Sequence, residues 1–211
     1  MAVVGGGPVG LVAAIEARLA GMSVVVLEPR DGVIDKACGE GLMPGALPVL
    51  DRLGVDPPGM PIMGIGYHQG RHGVTHRFAG APGRGVRRTV LHVALAERAA
   101  TLGIGRIGTR VESLDQDAGA ISIGGVTAGY ALACDGLHST VAGLTGLALP
   151  APTRRRRYGI RQHYAVAPWS DLVEIHYGRG AELYVTPIAE NEVGIAVLGP
   201  ARTDFDAALA A

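Results

Sequence analysis

Lysine, tryptophan and cysteine are nearly missing from this 211-residue chain, and each shortage closes off a class of protein. Of the 19 basic side chains only Lys36 is a lysine, and 19 acidic ones balance them to a formal net charge of zero. A chain with no basic excess has no global field with which to gather nucleic acid. Cys38 and Cys134 stand far apart and form no Cys-x-x-Cys pair, which excludes a disulfide scaffold and a cysteine zinc cluster. They read as reduced thiols of a cytoplasmic protein. No window approaches 18 consecutive apolar residues, so no segment spans a membrane as a helix. The N-terminal stretch MAVVGGGPVGLVAAIEARLAG lacks a basic lead and is broken by Pro8, Glu16 and Arg18, so it reads as structure rather than as a signal peptide.

What is abundant is glycine: 33 residues, about twice the usual share, bunched at turns and in one N-terminal loop. Ala2 to Val4 predicts a short strand, Gly5 to Gly10 a turn, Leu11 to Ala20 a helix stopped by Gly21, and Ser23 to Leu27 a strand buried on both faces. Pro44 to Leu53 predicts a short helix. Pro61 to Phe78 predicts a hairpin around Gly70 to Gly73. Thr89 to Leu102 has the strongest helical pattern, with Val90, Ala94, Leu95 and Ala99 on one face and Thr89 as a candidate cap. Val111 to Ala133 predicts a three-strand meander, and four more strands follow near 158–167, 172–177, 181–186 and 193–198. The fold class expected is α/β: a Rossmann-like nucleotide domain over 1–60 and 82–150, interleaved with a mostly antiparallel substrate domain over 61–81 and 151–211.

Gly5-x-Gly7-x-x-Gly10, with Pro8 inside it, sits between the first strand and the first helix, and Glu28 closes the second strand 18 residues after Gly10. Gly5 permits the tight turn, Gly7 lets backbone approach a pyrophosphate, and Gly10 lets helix and strand pack closely. The helix N-terminus supplies amide groups and partial positive charge, and the acid can accept from both ribose hydroxyls. Arg30 lies beside it as a further candidate contact. The carboxylate disfavours a 2′-phosphate, which points to FAD or NAD. Three further segments stand out: Asp35 to Pro44, a loop holding Cys38, Gly39 and Gly41; Arg87-Arg88 entering the strong helix; and Asp135-Gly136-Leu137-His138-Ser139 after an apolar strand.

In this order the segments resemble FAD-dependent oxidoreductases of the p-hydroxybenzoate hydroxylase type, a group with aromatic-ring monooxygenases, flavin halogenases and geranylgeranyl reductases. Gly5, Gly7, Gly10 and Glu28 match its dinucleotide fingerprint. The resemblance implies that Asp135 lies near the ribityl chain, that Arg88 of an Arg-x-x-Leu helix contacts FAD, and that Val111 holds the adenine through its backbone. It also implies that the Lys36–Gly41 loop, with Cys38, Gly39 and Gly41, passes close to the isoalloxazine. Position 142 is Ala where the family pattern has Arg, and Leu183 to Pro187 matches the isoprenoid-reducing branch only in part. The family's later Gly-Asp motif is not among these residues, so the expectation is a C-terminally truncated member that binds FAD poorly and does not turn over.

The activity so implied is an FAD-dependent monooxygenase that takes NAD(P)H as co-substrate and hydroxylates a small organic molecule. A geranylgeranyl-reductase-like enzyme reducing isolated C=C bonds is the alternative. A halogenase is disfavoured by the single tryptophan, Trp169, and the single lysine. From other classes, an NAD-dependent dehydrogenase without flavin and a non-catalytic nucleotide-binding module stay open. No catalytic residue is assigned and no metal site is expected. His68, His72 and His76 align as ligands only on a helix, and the glycines around them favour a hairpin. The Arg154 to Arg157 run reads as a solvated linker.

Overall fold

The computed structural model describes residues 1–149 and 156–210, so Arg154 and Arg155 of the basic run lie outside the described residues. The first apolar run is β1 (Ala2–Val4), the glycine turn opens into α1 (Pro8–Leu19), and the valine run is β2 (Val25–Leu27). Next come β3 (Gly41–Leu42), a 3₁₀ turn at Pro44–Ala46, α2 (Leu47–Arg52), β4 (Met60–Ile62), the hairpin strands β5 (Gly64–Gln69) and β6 (His72–Arg77), and β7 (Gly83–Gly85). Helix α3 (Arg88–Thr101) precedes β8 (Gly105–Ile107), β9 (Leu114–Gln116), β10 (Ile121–Ile123), β11 (Val126–Ala128), β12 (Ala131–Ala133) and the short α4 (Thr140–Leu144). The long strands β13 (Tyr158–Tyr164), β14 (Leu172–Tyr177), β15 (Glu182–Ala189) and β16 (Glu192–Gly199) lead to α5 (Phe205–Leu209). Helix α3 starts one residue earlier than expected, so Thr89 lies inside it and does not cap it.

The chain folds into two compact units. The first comprises Met1–Ile34, Leu53–Val55 and Leu91–Pro150. Its centre is a parallel sheet in the order β12-β1-β2-β8. Side chains alternate across a strand, so Ala2, Val4 and Leu27 pack on one face with Val111, Ile123 and Val141, next to the β11-β10-β9 meander. Val3 and Val26 face the other way, onto Ala14 of α1. Of the predicted run from Val111 to Ala133, three strands form the meander and the last, β12, joins the parallel sheet beside β1.

The second unit comprises Asp35–Arg52, Asp56–Val90 and Ala151–Ala211. A six-stranded sheet, β13-β16-β15-β14-β5-β6, buries Leu183, Val185, Val193, Ile195 and Val197 with Phe205 of α5 against one face. A smaller sheet, β3-β7-β4, lies in the same unit. Those pairings draw residues 35–52, 56–60 and 82–90, grouped by sequence with the nucleotide half, into this unit. The hairpin is present as expected. Its register pairs His68 with Gly73, Gln69 with His72 and Ile65 with His76, so His68 projects from one face and His72 and His76 from the other.

Candidate functional site

In the first unit, the turn after β1 is shaped by close approaches. Gly5 has φ +102°, and a Cβ there would lie 2.4 Å from the Cys134 carbonyl oxygen. A Cβ on Gly10 would lie 1.8 Å from the Gly5 carbonyl oxygen, so α1 packs on its strand only without a side chain at that position. Gly7 is the N-cap of α1 with no side-chain cap, and Pro8 takes the first turn, where its missing N–H costs nothing. The first internal bond of the helix runs from the Leu11 N–H to the Gly7 carbonyl at 2.9 Å. The amides of Val9 and Gly10 therefore point out of the helix N-terminus, toward where an anion would sit.

Glu28 is buried at the end of β2, 1% exposed, and its carboxylate is fully engaged. Oε2 accepts from the Gly6 N–H at 2.8 Å and from Arg30 Nη2 at 3.0 Å. Oε1 accepts from the Arg30 N–H at 3.0 Å and from Arg30 Nε at 2.8 Å. Burial opposes the charge, but these hydrogen bonds and the guanidinium outweigh it and hold the carboxyl at about 2, well below its ordinary 4.5. Arg30, half-exposed, is held above its own ordinary value by the same partner. Both Glu28 oxygens are thus occupied unless the Arg30 fork gives way, a competition the sequence did not disclose. Gly6, a free position in the fingerprint, is tied in: a Cβ there would fall 2.9 Å from the Glu28 side chain. His92 of α3 was also missed. It is buried, and its Nε2 lies 2.9 Å from the Gly6 carbonyl oxygen, fixing the turn from below.

Asp135 closes the same end of the sheet. Its Oδ1 accepts from Ser139 Oγ at 2.6 Å and its Oδ2 from the Val141 N–H at 3.1 Å, while Ser139 caps α4 through the Ala142 N–H at 3.0 Å. Two of the roughly four lone-pair sites of that carboxylate are thus used. Val111 buries its side chain against Leu27 and Ile123, in a segment that belongs to no strand. Burial, and then the charge of Asp135, raise the Cys134 thiol above its ordinary value.

In the second unit, the Cys38–Gly41 loop is held from four directions. Thr186 Oγ1 donates to the Gly39 carbonyl at 2.7 Å. Glu40 is buried and adopts φ +59°, rare for a residue with a side chain. It accepts from the Arg88 N–H at 2.8 Å and Arg161 Nη1 at 2.9 Å, and its other oxygen lies 2.8 Å from His163 Nε2. Arg161, itself nearly buried, forks to Asp35 at 2.7 and 2.8 Å. Glu40, Arg161, His163 and Thr186 were not singled out from sequence; the only signal was an acid set between Gly39 and Gly41. The Nε atoms of Arg87 and Arg88 are buried without a hydrogen-bond partner among the described residues. Beside Cys38 a cleft of about 230 Å³ is walled by Ala37, Gly39, Gly159, Tyr184 and Ala196. Tyr184 donates to Glu182 at 2.7 Å, and this bond, with burial, pushes its hydroxyl up to about 12.

The glycine turn, uncapped helix and buried strand-end acid define a dinucleotide-binding α/β protein. An orphaned guanidinium nitrogen at Arg88 fits a ligand that brings its own acceptors. The chain belongs to the FAD binding domain family, which it matches over residues 1–206. It is 31% identical over 170 residues to a rifampicin monooxygenase of Streptomyces venezuelae, covering 72% of this chain and 35% of that protein. It is 51% identical over 53 residues to a menaquinone reductase of Mycolicibacterium smegmatis, 25% of this chain and 13% of that one. A p-nitrophenol 4-monooxygenase structure from Pseudomonas putida superposes with a TM-score of 0.81 at 21% identity, over 99% of this chain and 60% of that chain. The chain thus spans only part of the length of the proteins it matches. The expected fold class is borne out, and among the described residues no helix is long and apolar enough to cross a membrane.

Proposed function

We propose that this chain is the FAD-holding part of an oxidoreductase that uses NAD(P)H to hydroxylate a small organic substrate. When bound, FAD supplies the redox chemistry; the protein binds it, orients it and keeps water away. The α1 N-terminus, through the amides beyond Gly7 and Pro8, takes the pyrophosphate. Gly5 and Gly10 allow the close packing this requires. Glu28 takes the ribose hydroxyls as Arg30 turns from it toward the ligand, and the Val111 backbone holds the adenine edge. Asp135 uses its free lone pairs on the ribityl chain. Cys38, Gly39 and Gly41 contact the isoalloxazine, with Arg88 donating to the cofactor. In this reading the first unit holds the adenosine half of the cofactor, and the antiparallel sheet serves the substrate.

One observation carries this reading: a buried carboxylate at the strand end, bonded to the turn that opens an uncapped helix. The test is titration of the purified chain with FAD, read by flavin fluorescence. Glu28→Ala loses one or two charge-assisted hydrogen bonds of about 1.5–3 kcal/mol each. That corresponds to at least about tenfold weaker binding, and an unchanged affinity refutes the assignment. A second reading is reduction of an isolated C=C bond; that the chain shares a stretch with a menaquinone reductase supports a reductase in place of a hydroxylase. Oxygen uptake coupled to NAD(P)H oxidation favours the first; anaerobic product formation favours the second.

A further inference from the structure

We propose that His68, Glu174 and His176 form a site for a divalent transition-metal ion of the zinc class, apart from the flavin residues. Strands β5 and β14 are parallel neighbours whose register sets His68 beside His176 and Gly66 beside Glu174. All three side chains therefore rise from one face of the sheet. One ligand atom from each lies within 4.8 Å of the other two. His176 Nε2 is 3.2 Å from Glu174 Oε2, a separation that suits two ligands about 2.1 Å from one ion. The imidazoles of His68 and His176 stack with centroids 4.7 Å apart and planes 17° from parallel, so a small tilt of His68 brings the third donor in.

Two features prepare the place. A Cβ on Gly66 would lie 2.9 Å from His68 Nε2, and one on Gly73 would lie 3.2 Å from its Nδ1. The ring occupies a slot that exists because both neighbours are glycine, and its Nε2 lies over the residue directly beside Glu174. Trp169 Nε1 donates to Glu174 Oε2 at 3.4 Å, orienting the carboxylate from outside. Two imidazoles and one carboxylate are a ligand set of zinc, with a fourth position for water. A single carboxylate is too few oxygens for calcium, which takes six or more. His176, its side chain 42% exposed, gives an ion entry without opening the core.

The site has a structural use. Among the described strands, β14 and β5 make the one parallel junction of the six-stranded sheet, and they come from distant parts of the chain. An ion bound to both strands clips the β5–β6 hairpin to the rest. His72 and His76 lie on the opposite face and take no part.

The experiment is zinc titration of the untagged, chelator-stripped 211-residue chain, with cobalt(II) as the spectroscopic probe. One zinc per chain, visible bands of low-symmetry cobalt, and a zinc-dependent rise in melting temperature are expected. His68→Ala and His176→Ala each weaken zinc binding by more than about tenfold, and Trp169→Phe by roughly tenfold, the scale at which outer partners are felt. His72→Ala and His76→Ala leave it unchanged. If either ligand variant fails to fold by circular dichroism, the near-isosteric Glu174→Gln gives the same reading with the side-chain shape kept. Absence of stoichiometric zinc binding, or equal loss in the opposite-face variants, overturns the proposal.

Discussion

Replacing Glu28 by Gln tests how much the buried carboxylate at the end of β2 stabilises the first unit. Its carboxyl is held at about 2 instead of 4.5 because Gly6 and Arg30 place donors on both oxygens and Arg30 adds its charge. At about 1.36 kcal/mol per pH unit, that difference is worth about 3 kcal/mol at neutral pH. Gln keeps the shape, but it removes the charge and turns an NH₂ toward donors. A loss of about 3 kcal/mol lowers the melting temperature of a chain this long by roughly 6–12 °C. The pH dependence separates charge from shape. With the folded value below the unfolded one, the stabilisation is complete above the ordinary carboxylate range and drains away as pH falls from 4.5 toward 2. At pH 3 about 1.4 kcal/mol of it is left, so the gap between the two proteins should narrow by about 2 kcal/mol between pH 7 and pH 3. Urea unfolding followed by circular dichroism at pH 7, 5, 4 and 3 measures this directly. A gap below about 1 kcal/mol at pH 7, or one that stays constant with pH, refutes the argument.

Gly10→Ala drives a methyl to 1.8 Å from the Gly5 carbonyl oxygen and 3.3 Å from the Cys134 Cβ, so backbone must move. The expected cost exceeds about 3 kcal/mol in urea unfolding, and a change within about 0.5 kcal/mol would show that α1 yields freely. Glu40→Gln leaves the nearly buried Arg161 with Asp35 as its remaining acid, and is expected to cost about 3–5 kcal/mol. A double-mutant cycle with Arg161→Met checks it: the coupling should be large, and additive losses would dismiss the pair as incidental.

The strand–turn–helix–strand opening was legible because it is local. Glycine spacing, a continuous valine run and an acid at a set distance are properties of some thirty consecutive residues. The hairpin and the four late strands were legible for the same reason. The surroundings of the site were not, because they are made by pairings across the chain. Nothing near Glu40 in sequence announces Arg161 or His163, which β13 delivers from far downstream. His92 sits on a helix whose apolar face was expected through Val90, Ala94, Leu95 and Ala99; Leu95 and Ala99 are buried as expected, but the third buried residue is His92. The histidine spacing 68, 72, 76 was a false lead, while the partners of His68 lay on a strand paired only in the folded sheet. Glu28 was found, but its saturation by Arg30 depends on a rotamer that no spacing encodes.

The interleaving of the two units also sets an order of events in folding. Strand β1 is made first, yet one of its two neighbours in the sheet, β12, is among the last strands of its unit to leave the ribosome. Everything from Asp35 to Arg52 and from Asp56 to Val90 must be set aside in the meantime, because it belongs to the other unit and waits for β13 to β16. Closing such long loops is slow, since their entropy is lost before the distant contacts form. At about 5–20 residues per second, synthesis leaves the edges of β1 and β5 unpaired for several seconds, a period in which a chaperone or a neighbouring strand has its chance. For the same reason no single cut divides this chain into its two halves: each unit is assembled from segments that the other interrupts.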